Sequence, residues 1–207
     1  SSDLGLKRNL GLVIGQLCGW QGLLTLDDDI TVHRASQLPL RPAGESMDPL
    51  LRLDDVLADF AAYPDLLVAG YQAKDFDDNS VVCHVRRLAG QPQEGFISGG
   101  AMVVRCSARL PFFPGAYNED WLFLFALMLD GRHTHPSSAV RLVGDVHQHA
   151  YYPFSAPRAR SEELGDVLAE GLLALLDRPP AEVVVTAGSV AYWKEVIWQR
   201  EGMIADL

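Results

Sequence analysis

Gly22-Leu23-Leu24-Thr25-Leu26 is an apolar run that ends abruptly in Asp27-Asp28-Asp29, and this junction restricts the fold more than any other stretch. A short apolar run bounded by glycine and by charge reads as a buried strand. Open α/β sheets build ligand sites beside the carboxyl ends of their strands, so the triplet falls at such a rim. Carboxylates packed this closely repel one another unless a cation or hydrogen-bond donors satisfy them. A hard divalent ion such as Mg²⁺ or Mn²⁺, itself holding a phosphate, meets that demand. On extended chain Asp27 and Asp29 share a face and Asp28 points the other way. Alone, the triplet would read as a solvated acidic turn; the rest of the chain argues for the metal.

Periodicity sets the order of elements. Leu6, Leu10, Val13, Ile14 and Leu17 recur at helical spacing ahead of the strand, and Gly11 and Gly15 would let that helix lie close on a sheet. A Pro-bearing loop from about Thr31 to Pro49 leads to a helix over Leu51 to Ala62, and Leu66 to Tyr71 reads as a second buried strand. Ser80 to Leu88 reads as helix and Phe96 to Arg105 as strand, broken by Ser98-Gly99-Gly100. Asn118 caps a helix that reaches about Leu129, and Ala139 to Tyr151 alternates as a long strand. Leu164, Leu168, Leu172 and Leu175 then mark the apolar face of a further helix, and Ala181 to Leu207 reads as strand or turn followed by a short helix. Alternating helices and strands predict an α/β fold with a mixed, mostly parallel sheet. Residues 1–155 form its core, and 156–207 a helical extension packed on that core or on a partner. Tyr192, Trp193 and Trp198 supply a docking face on the last helix.

Charge narrows the function. The chain carries 17 Lys+Arg against 27 Asp+Glu, a net charge of −10. That balance argues against a general nucleic-acid binder, whose affinity rests on cations that neutralise phosphates. It leaves open a nucleotide held through a metal. Cys18, Cys83 and Cys106 are scattered, form no CxxC pair and are odd in number, which fits a reducing cytoplasm better than a disulfide framework. The apolar stretch from Trp121 to Leu129 is too short to span a bilayer.

Four segments carry a resemblance. They are Gly5-Leu6-Lys7-Arg8-Asn9-Leu10-Gly11 with the strand into Asp27-Asp28-Asp29; Ile97-Ser98-Gly99-Gly100-Ala101-Met102-Val103-Val104-Arg105; Tyr117-Asn118-Glu119-Asp120-Trp121; and Asp145-Val146-His147-Gln148-His149. In this order, from Gly5 to about His149, they resemble nucleotide-sugar glycosyltransferases of the GT-A fold, especially those of the family-two kind. The resemblance implies a nucleotide-sugar donor, a hydroxyl-bearing acceptor and Mn²⁺ or Mg²⁺ as cofactor. It makes Asp29 the direct metal ligand and Asp27 the partner of the donor's ribose or of a metal-bound water. Lys7, Arg8 and Asn9 fall on the donor side with Asp28, Gly99 and Gly100, the cations meeting its phosphates. One imidazole completes the metal set. His147 is preferred, because His149 runs into Ala150-Tyr151-Tyr152, read as pocket wall and acceptor side.

Each assignment has a plainer counterpart. Glu119 and Asp120 fit the first turn of a helix simply because the macrodipole favours negative charge there; the catalytic reading makes Asp120 the general base and Glu119 an orienting group. The dipole lowers a carboxylate's pKa, while burial near Trp121 and Phe123 would raise it. Trp121 could face an acceptor sugar or, as is commoner for such a ring, the core. The glycine pair could admit a sugar or make a β-bulge. Asp75, Asp77, Asp78 and Asn79 read as a turn and helix cap, and His133 and His135 as loop residues.

One departure stands out. The family places a strand-helix-strand unit ahead of its acidic element, and here the triplet arrives by residue 27. The resemblance therefore implies a fold without that unit, with a sheet edge that could pair with a second copy as a homodimer. The expectation is a metal-dependent, inverting glycosyltransferase. A nucleotidyltransferase on a similar scaffold and a non-catalytic binding or assembly domain remain as alternatives.

Overall fold

Ala101, Met102, Val103 and Val104 are consecutive and all buried, which requires a strand covered on both faces. They lie in β4 (Ile97–Arg105) of a five-stranded sheet ordered β1-β4-β3-β5-β2. The computed structural model describes residues 3–31, 53–74, 80–91, 97–106, 109–130, 139–148 and 154–206. The other strands are β1 (Gly22–Leu26), β2 (Ile30–Thr31), β3 (Val68–Lys74) and β5 (Val140–Gln148); the helices are α1 (Asp3–Leu17), α2 (Leu53–Ala62), α3 (Val81–Leu88), α4 (Glu119–Leu129), α5 (Ala156–Leu173), α6 (Pro180–Ala187) and α7 (Val190–Ala205). His149, Tyr151, Tyr152, His133, His135 and the cluster Asp75, Asp77, Asp78 and Asn79 lie outside the described residues.

The α/β class holds, but the mostly parallel sheet does not. β4 runs antiparallel to both β1 and β3, β2 is antiparallel to β5, and only β3 and β5 pair in parallel. It follows that β1, β3 and β5 all point one way, with β4 inserted between two of them in reverse. A strand buried on both faces has the same apolar composition in either direction, so its pattern carries no polarity. The reversal has one large effect: the carboxyl end of β1 and the start of β4 meet at the same rim, where Leu26 pairs with Ala101.

One face of the sheet packs Val68, Met102 and Val104 against Leu12 of α1 and Phe123, Leu124 and Leu127 of α4. The other packs Ala69 and Val103 against Val56 and Phe60 of α2. Each large side chain so buried contributes on the order of 2 kcal/mol. Phe113 and Phe123 stack with centroids 4.0 Å apart, fixing the segment ahead of α4 against the sheet. Arg105 ties the end of α2 and the segment after it to β4: its guanidinium donates to the carbonyl of Phe60, in the last turn of the helix, and to those of Tyr63 and Leu66 beyond it.

Two helices turn the opposite way from their leucine patterns. In α1 the buried residues are Gly5, Arg8, Leu12 and Gly15, while Leu6, Leu10, Val13, Ile14 and Leu17 are exposed. The expected close approach does occur: a Cβ on Gly15 would sit 2.7 Å from Cys106 Sγ, and one on Gly11 3.1 Å from Leu23 Cδ2. In α5 the buried residues are Ala159, Glu162, Gly165, Asp166, Ala169 and Gly171, and Leu164 and Leu168 are exposed. Only Leu175, just past the helix, is buried as the leucine face predicted. Small residues set these interfaces because they let backbones come close, and ion pairs fill the space that remains.

The C-terminal segment also departs from expectation. The run Val183-Val184-Val185 favours strand locally, yet α6 forms, with Pro180 in its first turn where proline is tolerated. α7 is long rather than short. Trp193 donates from Nε1 to the Ala187 carbonyl at 2.7 Å and Tyr192 hydrogen-bonds the Gly171 carbonyl, so these two rings are used within the chain; Trp198 is exposed. α5 contacts α3, α4 and α7, which places it on the core. Among the described residues no helix is long and apolar enough to cross a membrane, and the three cysteines are free thiols.

Gly70 marks where β3 tolerates nothing larger, since a Cβ there would fall 2.1 Å from Ile97 Cγ2 and 3.1 Å from Ile97 Cβ. The second distance is to a branch point, which no rotamer change can move. Gly70→Ala is expected to destabilise the fold by roughly 1–3 kcal/mol, read from urea unfolding midpoints.

Candidate functional site

Arg8 is buried in the middle of α1, and its guanidinium is shared between two acids that are distant in sequence. Nη1 donates to Glu119 Oε1 at 2.7 Å and Nη2 to Asp27 Oδ1 at 3.3 Å. A buried arginine needs such partners, and these come from the end of β1 and the start of α4. Asp120, next to Glu119, accepts the Gly99 amide at Oδ2 (2.7 Å) and the Trp121 amide at Oδ1 (2.9 Å). The strand carrying Gly99 is held in turn by Thr25, whose hydroxyl donates to the Gly99 carbonyl at 2.8 Å.

The glycine pair makes room for these acids. A Cβ on Gly99 would fall 2.5 Å from Asp120 Cβ and 2.6 Å from Arg8 Nη1; one on Gly100 would fall 2.8 Å from Asp27 Oδ2. The doublet thus leaves room for Asp120 at one residue and for Asp27 at the next. Asp27 also donates its backbone N–H to the Gly100 carbonyl at 2.9 Å.

These groups border a cavity of about 240 Å³, lined by Arg8, Asp27, Ser98, Gly100, Glu119, Asp120 and Trp121 from the segments singled out by sequence. Tyr117, Asn118, Gln148, Glu162 and Asp166 complete its wall along with Leu4 and Ala73. A larger hollow of about 360 Å³ between α5 and α7 has walls that include Arg200 and Glu170, which pair with each other at 2.6 Å, and it contains none of the acids at the strand rim.

The electrostatics are lopsided. Burial pushes the Asp27 carboxyl above its ordinary range; Arg8 opposes this, and Asp29 and Asp28 reinforce it. Burial likewise raises Glu119, with repulsion from Asp120 adding to it and Arg8 opposing. Asp120 is raised by burial, against the pull of the Gly99 amide and of Arg8. Of the two effects weighed for the acid pair, desolvation therefore outweighs the helix terminus. One cation faces three carboxylates, so the cluster is suited to taking up a proton or a second cation.

Several residues assigned to the donor act within the protein. Arg8 is engaged by the acids just described. Asn9 uses both ends of its amide on the backbone of Phe113, donating to its carbonyl at 2.9 Å and accepting its N–H at 2.7 Å. Lys7 is exposed and absent from the cavity wall, and Asp28 lies exposed in the turn. Trp121 is half-buried and lines the cavity.

The triplet does meet the end of β5, through the pairing of Ile30 with Gln148 and Thr31 with His147. The side chain delivered to Asp29 is nevertheless that of Gln148, whose amide donates to Oδ2 at 2.9 Å. His147, one residue earlier on the strand, projects to the opposite face. Asp29 Oδ1 is buried and, among the described residues, without a hydrogen-bond partner, a state that a bound cation would complete. Among the described residues no three His, Cys, Asp or Glu side chains are grouped as a metal would require.

Asn118 was expected to cap α4 with its side chain. It stands at the N-cap position in a left-handed conformation (φ 58°, ψ 38°) with no such cap, and its amide instead donates to Asp166 Oδ1 at 2.8 Å. Sequence reasoning missed Gln148, Glu162 and Asp166. The last two are four apart, hence on one helix face, but the competing leucine stripe hid them.

Replacing Arg8 by Met would leave the three carboxylates without their cation. The expected loss at pH 7 is about 3 kcal/mol. Since the acids' folded pKa values would rise further, stability is retained while they are protonated and lost as pH climbs through those values. The deficit against the wild type in urea midpoints should therefore be smaller at pH 5 than at pH 8.

No family model matches the chain, and neither does any curated protein or any solved structure.

Proposed function

We propose that this chain is a metal-dependent glycosyltransferase domain of the GT-A type, which moves a sugar from a nucleoside-diphosphate donor to a hydroxyl acceptor. One observation carries the reading: three segments remote in sequence and singled out for this chemistry, Asp27 after β1, Gly99-Gly100 in β4 and Glu119-Asp120 opening α4, line or abut a single cavity.

Asp29, which is not among the residues lining that cavity, is the residue that would hold Mn²⁺ or Mg²⁺, because its Oδ1 is buried without a partner among the described residues. Such an ion supplies charge compensation to a departing diphosphate. The acid cluster does the rest. Asp120 sits at the cavity wall with its carboxylate fixed by two backbone amides. Burial makes it a stronger base than a surface aspartate. In this reading the acceptor oxygen bonds to the anomeric carbon, the bond from that carbon to the diphosphate oxygen breaks, and the acceptor's proton passes to Asp120. Attack from the face opposite the leaving group gives inversion. Arg8 holds Glu119 and Asp27 in place and opposes the rise of their pKa values, and the Trp121 ring offers an apolar wall to the acceptor sugar.

Calorimetry with UDP- and GDP-sugars, with and without Mn²⁺, tests the reading. Metal-dependent donor binding is expected, with a loss of at least about tenfold in affinity in Asp29→Ala. Asp120→Asn should keep the donor affinity and lose transfer by roughly 10²-fold or more. Absence of any nucleotide-sugar binding would favour a non-catalytic domain. Binding of nucleoside triphosphate in place of the sugar donors would favour a nucleotidyltransferase.

A further inference from the structure

Asn118 is, among the described residues, the one non-glycine with positive φ. Asparagine tolerates this conformation better than most residues because its short amide finds a local partner. Here the partner is Asp166 of α5, 48 residues further along the chain, whose Oδ1 accepts the Asn118 amide at 2.8 Å. Both residues line the acid cavity. The preceding residue is clamped by the same helix, since Gly165 lies so close to Tyr117 that a Cβ there would be 2.3 Å from Cδ1 of the ring.

Asp166 is buried, and a buried carboxylate needs compensation. Arg200 of α7, itself 9% exposed, faces the carboxylate with Nη2 3.9 Å from Asp166 Oδ2, beyond hydrogen-bond distance. Arg200 is anchored by two short ion pairs, Nε to Glu163 Oε1 and Nη1 to Glu170 Oε2, both at 2.6 Å. Glu163 reaches further and accepts the Val82 amide at the start of α3 through Oε2 at 3.1 Å. The middle of α5 thus ties α3, α7 and the turn before α4 into one polar cluster. That turn determines where α4 begins and where Glu119 and Asp120 project.

We propose that Asp166 is a positioning residue that holds the left-handed turn at Asn118 and so aims Glu119 and Asp120 into the cavity. The catalytic significance of that aim rests on the glycosyltransferase reading; the positioning does not. Arg200 fastens α7 to this part of α5 through Glu163 and Glu170, and the α5–α7 pair becomes part of the site's support although it follows the core in sequence.

Carboxyl-carbon NMR titration of the full chain, with amide exchange at Gly99, tests this without any donor. In Asp166→Ala the turn loosens and water reaches Asp120. Its titration midpoint is then expected to fall by about one pH unit or more, and Gly99 exchange to speed at least about tenfold as its bond to Asp120 weakens. Asp166→Asn retains an acceptor for the Asn118 amide and should restore both readings towards the wild type. A folded Asp166→Ala with wild-type Asp120 titration and Gly99 exchange would overturn the proposal. Should that variant fail to fold, Asn118→Gly keeps the left-handed backbone and removes the tether. It is expected to show the same two changes, and their absence would be equally decisive. Failure of sugar-donor binding would remove the enzymatic reading and leave these outcomes intact.

Discussion

A single guanidinium organises this molecule. Arg8 lies in the interior of the first helix, where a charged side chain is costly unless matched, and its match comes from two acids, Asp27 and Glu119. The pairing fixes α1 against the end of β1 and the start of α4 together. A break in any of these contacts would strand an ion in a poorly solvated place. The glycine doublet in β4 follows from the same constraint, because any side chain at Gly99 or Gly100 would occupy the volume of an acid or of Arg8 itself.

The acids outnumber the cation, and this imbalance gives the cavity its character. Their carboxyls resist ionisation because they are buried, and for Asp27 and Glu119 because they also face one another or nearby acids. A cluster built only for stability would be better served by matched charge or by apolar packing of similar volume. The retained excess is the physical ground for treating the cavity as a place of chemistry. It also explains why α5 presents Glu162 and Asp166 inward: the polar wall of the cavity continues into that helix.

Much of the architecture was legible. The strand ending in Asp27, the helix opening at Glu119, the strand containing the glycine pair and the close approach at Gly11 and Gly15 follow from local pattern and agree with the coordinates to within a few residues. What was not legible has identifiable causes. The direction of β4 is invisible because a doubly covered strand looks the same reversed. In α1 and α5 leucine periodicity pointed to the wrong face, since the actual contacts are made by glycine, alanine and paired charges, residues that hydrophobic spacing does not weigh. Gln148 rather than His147 meets Asp29 because β5 turns alternate side chains to alternate faces, and one position of register decides which is delivered. The diversion of Asn118 from capping to Asp166 depends on a tertiary partner 48 residues away, which no local rule contains.

The adjacency of Gly99 and Gly100 ties two acidic residues, remote from each other in sequence, to one short stretch of β4. The Asp120 carboxylate accepts the Gly99 amide and the Asp27 backbone N–H donates to the Gly100 carbonyl, so both residues are anchored to the same glycine pair. A shift at the start of that strand would therefore act on the anchors of both acidic residues at once.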